Sequence, residues 1–186
     1  MNPKKQFSIA SSPMDFKLDK DEIRKTGRFV AFFMLAYLFI SVAFYAAIPE
    51  QNTQQFIAGI TASVFNGELS QAENPLVTMA NGTVIEISPL CTGMTELFIV
   101  ISAILASIGI SKRKRLMGAA AAAVIVFGLN IFRIFATLSL ILNNTDLGTI
   151  ELAHNILFRI FLFISIAAIY IAWFYWAATG QPKQNV

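Results

Sequence analysis

The chain of 186 residues contains one cysteine and one histidine. A lone cysteine forms no internal disulfide. One Cys and one His make too few ligands for a zinc site unless carboxylates complete it, so neither a metal nor a cofactor is expected. Charge is scarce too: 13% of the residues are charged and 56% are hydrophobic, a balance that argues against an ordinary soluble domain. Residues 49–90 and 143–155 contain no lysine or arginine. Internal repeats and low-complexity segments are missing. The residues before the first apolar run mix acids with bases and lack a small-residue cleavage site, so no removable targeting peptide is expected.

What is present is apolar sequence. A bilayer core takes about 20 apolar residues per helix, and residues 29–48, 116–142 and 156–178 each supply such a run. A fourth run, 97–110, spans only if 90–95 extend it, which draws Cys91 into its first turn. The expected fold is an all-α integral membrane protein with about four transmembrane helices, near 29–48, 90–110, 116–142 and 154–178. They form one membrane domain over 29–178, between polar tails at 1–28 and 179–186; the first tail is read as a partly disordered arm near anionic headgroups, with a surface helix over 17–28 as the alternative.

Basic residues orient these spans. Seven precede Phe29, four form Lys112-Arg113-Lys114-Arg115, and one is Lys183 in the tail. By the positive-inside rule, both termini and the basic loop are cytoplasmic and the two loops without basic residues are outside. Only Arg133 and Arg159 fall inside spans. The net charge of +3 is therefore a topology signal, and nucleic acid is not an expected partner.

In the first outer loop, Phe56, Ile57, Ile60, Val64 and Phe65 have helical spacing and predict a short amphipathic helix on the outer surface. Alternation on both sides of Asn81-Gly82 predicts a small β-hairpin that leads the chain to Cys91. Small residues over 118–123 allow close helix packing. Tyr170, Trp173, Tyr175 and Trp176 fit an interfacial belt.

The polar residues at membrane depth are few. Arg133 lies about 14 Å below the outer end of its span, at 1.5 Å per residue, with Asn130 and Thr137 on the same helix face. His154 enters the last span from outside, Glu151 stands three residues before it and Arg159 five residues deeper. Cys91 and Glu96 enter the second span from the same side. Each has a structural reading: cysteine as a small apolar residue, histidine as an interfacial one, and Arg133 or Arg159 as a partner of Glu96. What sets them apart is that all come from the outer ends of three helices.

Taken in order, Cys91-Thr92-Gly93, then Asn130-Ile131-Phe132-Arg133, then His154 heading the last apolar helix resemble the exosortase/archaeosortase family of membrane transpeptidases. That family has a Cys in a C-[S/T/A]-G context, an Arg in an N-x-x-R context, and a third basic residue that is His in bacterial members and Arg in archaeal ones. The resemblance covers about residues 85–176. Four spans are fewer than many members have.

The resemblance implies that Cys91, Arg133 and His154 are catalytic, with Arg159 the second choice for the third position and Asn130, Glu96 and Glu151 in support. The Cys91 thiolate, aided by the first turn of a helix, would attack a peptide carbonyl and form a thioester. Arg133 would stabilise the oxyanion, and His154, oriented by Glu151 or an outer-loop carbonyl, would move protons. The implied partners are exported proteins with a C-terminal signal of short motif, apolar helix and basic tail, and a lipid or cell-surface amine as acceptor. The implied location is the plasma membrane, with the site at its outer face. An intramembrane cysteine protease and a non-catalytic assembly or translocation subunit are the competing readings.

Overall fold

A computed structural model of the chain describes residues 20–70, 74–143, 148, 156 and 160–179. Among these residues five α-helices and three short strands follow in the order α1 (Lys20–Ala47), α2 (Glu50–Phe65), β1 (Glu68–Ser70), β2 (Leu76–Thr78), β3 (Val84–Glu86), α3 (Met94–Ala106), α4 (Lys112–Asn143) and α5 (Phe161–Thr179). The expected all-α architecture is right in its main part, and α1, α4 and α5 are long and apolar enough to cross a membrane.

The expected fourth span is different. Helix α3 has 13 residues, about 20 Å at 1.5 Å per residue, against a hydrocarbon core of about 30 Å. Its start is delayed by Pro89 and Gly93. At its other end Ser107 takes an extended backbone, and Gly109, at φ 85°, turns the chain toward α4. In the opposite direction, α1 absorbs residues 20–28, which had been placed in the polar tail.

α1 runs without proline until Pro49, whose extended backbone precedes α2. It leans on α3 through Phe44 and Tyr45, whose rings meet Phe98 at 5.3 and 5.7 Å. Helix α2 buries Thr53, Gln54, Ile57, Ala58, Thr61 and Ala62, one stripe at i, i+4, i+8 spacing. Of the five apolar positions that predicted it, Ile57 is on that stripe, while Phe56 and Val64 are 59% and 54% exposed. A helix covers these residues, and its buried face is richer in small and polar residues than the apolar spacing alone suggests.

The hairpin is part of a larger unit. β1, β2 and β3 form an antiparallel sheet in that order. The Asn81-Gly82 pair turns the chain through a three-residue loop: Gly82 N–H donates to Met79 O at 2.9 Å, and Met79 N–H to Thr83 O at 2.8 Å. Gly82 sits at φ 82°, the left-handed conformation that such a loop requires and glycine supplies.

Two apolar clusters divide the molecule. One joins α2 and the sheet to the far half of α4 through Ile57, Ala58, Val77, Met79, Ile87, Ile134 and Leu138. The other joins α3, the near half of α4 and α5 through Val100, Ile104, Ala119, Ala122, Val126, Trp173 and Ala177. The basic residues stand at the second end. Lys114 Nζ donates to Ala177 O at 2.8 Å and Arg115 Nη1 to Leu105 O at 2.7 Å, satisfying last-turn carbonyls of α5 and α3 that have no helical partner.

Candidate active site

Cys91 ends a 3₁₀ turn, Pro89–Cys91, that lies between β3 and α3. Pro89 fits the first position of such a turn because its missing N–H has no partner to lose. Cys91 N–H donates to Ser88 O at 2.9 Å and Thr92 N–H to Pro89 O at 3.1 Å. The thiol is therefore in the turn before α3 and not in that helix's first turn. It is half-buried, and its Sγ is 3.4 Å from Ser88 Oγ.

Helix α4 holds this turn from one face. Asn130 Nδ2 donates to Cys91 O at 3.0 Å, and Arg133 Nη2 donates to Leu90 O at 3.2 Å. Both residues are nearly fully buried, at 3% and 2% exposure. Three residues apart, they share one helix face and so reach the carbonyls of two consecutive residues. Burial of a guanidinium is costly unless its charge is balanced, and Glu96 in the first turn of α3, itself buried, is the acid on the adjoining helix.

Gly93 permits the grip. Its φ is 74°, and a Cβ there would meet Asn130 Cγ at 2.7 Å. The space beside Gly93 is thus filled by Asn130 and is not kept open for another chain. Thr92 steadies the next step, its Oγ1 donating to Pro89 O at 2.7 Å and accepting from Met94 N–H at 3.4 Å.

Cys91 and Arg133 line one cavity of about 100 Å³ with Ile85, Glu86, Ile87, Ile134, Thr137, Leu138 and Ile141. That is room for one medium-sized side chain, given that a 150 Å³ engineered cavity takes benzene. Thr137, expected on the Arg133 face, is there. A smaller space of about 10 Å³ lies behind the turn, between Glu96, Gly93, Asn130 and Ser165. Of the expected site residues, Cys91, Asn130, Arg133 and Glu96 are together. His154, Arg159 and Glu151 lie outside the described residues.

Two supporting residues gave no signal in the sequence. Ser88 contacts the thiol, and buried Gln54 of α2 donates through Nε2 to Ile87 O at 2.9 Å, fastening the strand that leads to Cys91. Neither belongs to a motif, and Gln54 sits where helical spacing alone would place any residue. Among the described residues no group of three or more His, Cys, Asp or Glu could hold a metal ion.

Membrane-length helices, with a half-buried thiol and a buried arginine brought to one cavity, define a class: a multi-pass membrane protein with a candidate cysteine-arginine site. The transmembrane exosortase family model matches residues 21–171, which include every residue of this site, and the chain belongs to that family. The family is generally one of cysteine transpeptidases. No match was found among curated proteins or among solved structures.

Proposed function

We propose that the chain is a membrane cysteine transpeptidase that cleaves a C-terminal sorting signal of exported proteins and passes the new C-terminus to a lipid or cell-surface amine. The observation behind this reading is the shared cavity of Cys91 and Arg133, beside a turn whose carbonyls α4 holds in place. A positioned thiol next to a permanent cation is what acyl transfer through a thioester requires.

The Cys91 thiolate attacks the scissile carbonyl carbon, a C–S bond forms, and the oxyanion is met by the Arg133 guanidinium. Collapse breaks the C–N bond, and the leaving amine takes a proton from the third basic group, His154; Arg159, the second choice for that position, stays charged and would contribute its charge alone. The acceptor nucleophile then attacks the thioester and passes its proton back to His154; its bond to the acyl carbon forms, the C–S bond breaks, and the Cys91 thiolate is released. Histidine suits both proton movements because its ordinary pKa is near neutrality.

The test uses an exported reporter fused to the C-terminal tail of a protein encoded beside this chain, ending in a short motif, an apolar helix and basic residues. Cys91→Ala is expected to leave the reporter uncut on a gel, and a cut reporter in that background returns the chain to the non-catalytic subunit reading. Mass measurement of the product separates an attached acceptor from the free acid that a protease would release. Arg133→Lys keeps the charge and loses the planar fork, so cleavage should slow about 100-fold, the usual cost of one oxyanion donor.

A further inference from the structure

Strand β3 is an edge strand, since the sheet order is β1-β2-β3. Its register with β2 settles which backbone groups face outward. The partners are Leu76↔Glu86, Val77↔Ile85 and Thr78↔Val84. Hydrogen bonds link Met79 to Thr83 and Ile87 to Pro75, the next partners beyond each end of the ladder. In an antiparallel pair, hydrogen-bonded and non-bonded partners alternate. Thr83, Ile85 and Ile87 therefore direct their backbone groups to β2, and Val84 and Glu86 direct theirs to the open edge. Among the described residues no strand pairs with that edge.

An unpaired edge is a template for another extended chain. This one is placed against the site: the cavity that holds Cys91 and Arg133 is bounded on one side by Ile85, Glu86 and Ile87 and on the other by Ile134, Leu138 and Ile141 of α4. From Glu86 only four residues separate the strand from Cys91. Side chains of an added strand alternate between faces. Those on the face shared with Ile85 and Ile87 point into the aliphatic part of the cavity, which has room for one of them.

We propose that the edge of β3 receives the substrate polypeptide as an added strand, with one aliphatic side chain in the cavity beside Cys91. This rests on the reading of the chain as a transpeptidase and adds how the segment to be cut is held. Backbone pairing supplies hydrogen bonds with Val84 and Glu86, and it aligns the peptide with the thiol. The cavity supplies selection, favouring a residue of about leucine size near the scissile bond and rejecting aromatic ones.

The geometry offers a specific test. Val84→Pro removes an outward N–H and no bond to β2, a place where an edge strand tolerates proline. Ile85→Pro removes an N–H that pairs with Val77 and serves as the folding control. With the exported reporter as probe, Val84→Pro should cut processing at least tenfold while N-ethylmaleimide labels Cys91 at the unaltered rate. Unchanged processing by Val84→Pro overturns the proposal.

If Val84→Pro does not accumulate in membranes, cross-linking decides. Val84→Cys is placed in the Cys91→Ala background, single cysteines are moved along the reporter's motif, and copper phenanthroline is added as oxidant. A disulfide at alternate reporter positions is the expected pattern. Bonds at every third or fourth position, or equally at all positions, exclude an added strand. The two ideas fail separately. Cleavage by Cys91→Ala sinks the enzyme reading, whereas loss in Cys91→Ala without loss in Val84→Pro sinks only the strand.

Discussion

Asn130 and Arg133 hold the carbonyls of Cys91 and Leu90, so the thiol's position depends on two hydrogen bonds from a single helix face. One hydrogen bond of this kind contributes about 0.5–1.5 kcal/mol. Asn130→Ala should accordingly slow reporter cleavage up to about tenfold, with the protein still present in membranes. Gly93→Ala should be worse for stability, because it adds a clash at 2.7 Å to an unfavourable φ of 74°. A loss of about 2–3 kcal/mol is expected from these causes together, read as a lower unfolding midpoint in detergent. Gly82→Ala is the comparison: it shares the positive φ but meets no atom within 4 Å, so about 1 kcal/mol is expected. The motif residues were legible because thiol, arginine and asparagine are out of place in apolar sequence. Ser88 was not, since a serine before a proline at a loop end is ordinary turn chemistry.

Elements meet at the other end of the bundle through Lys114 and Arg115, which bond carbonyls in the last turns of α5 and α3. The sequence made these residues a topology signal, and they are also caps. Arg115→Gln is expected to destabilise the protein by about 1–2 kcal/mol, measured by thermal unfolding, while Lys112→Gln, exposed at the helix start, should be nearly neutral. Legibility failed at the lengths of elements more than at their kinds. Residues 97–110 carry no charge and are apolar apart from two serines and a glycine, so their hydropathy does not reveal that α3 ends at Ser107, whose Oγ bonds back to Ala103 O at 2.9 Å. β1 is three residues of Glu-Leu-Ser, too short for alternation to register. It exists because β2 offers it a partner.

For the whole molecule, the charge pattern fixes an expected orientation with Cys91 toward the outside. Because Cys91 is the sole cysteine, a membrane-impermeant maleimide added to intact cells should label the chain without permeabilisation. Labelling only after the membrane is opened would reverse the orientation. The shortness of α3 has a consequence for depth. Along α4, Asn130 stands 14 residues beyond Leu116, about 21 Å, so the turn it holds lies roughly 9 Å inside the far face of a hydrocarbon slab of about 30 Å that begins at Leu116. A helix that stops early creates hydrophobic mismatch, which lipids relieve by thinning locally. The membrane would then dip over the thiol, letting a chain still anchored by its own helix reach the cysteine without being drawn out of the lipid.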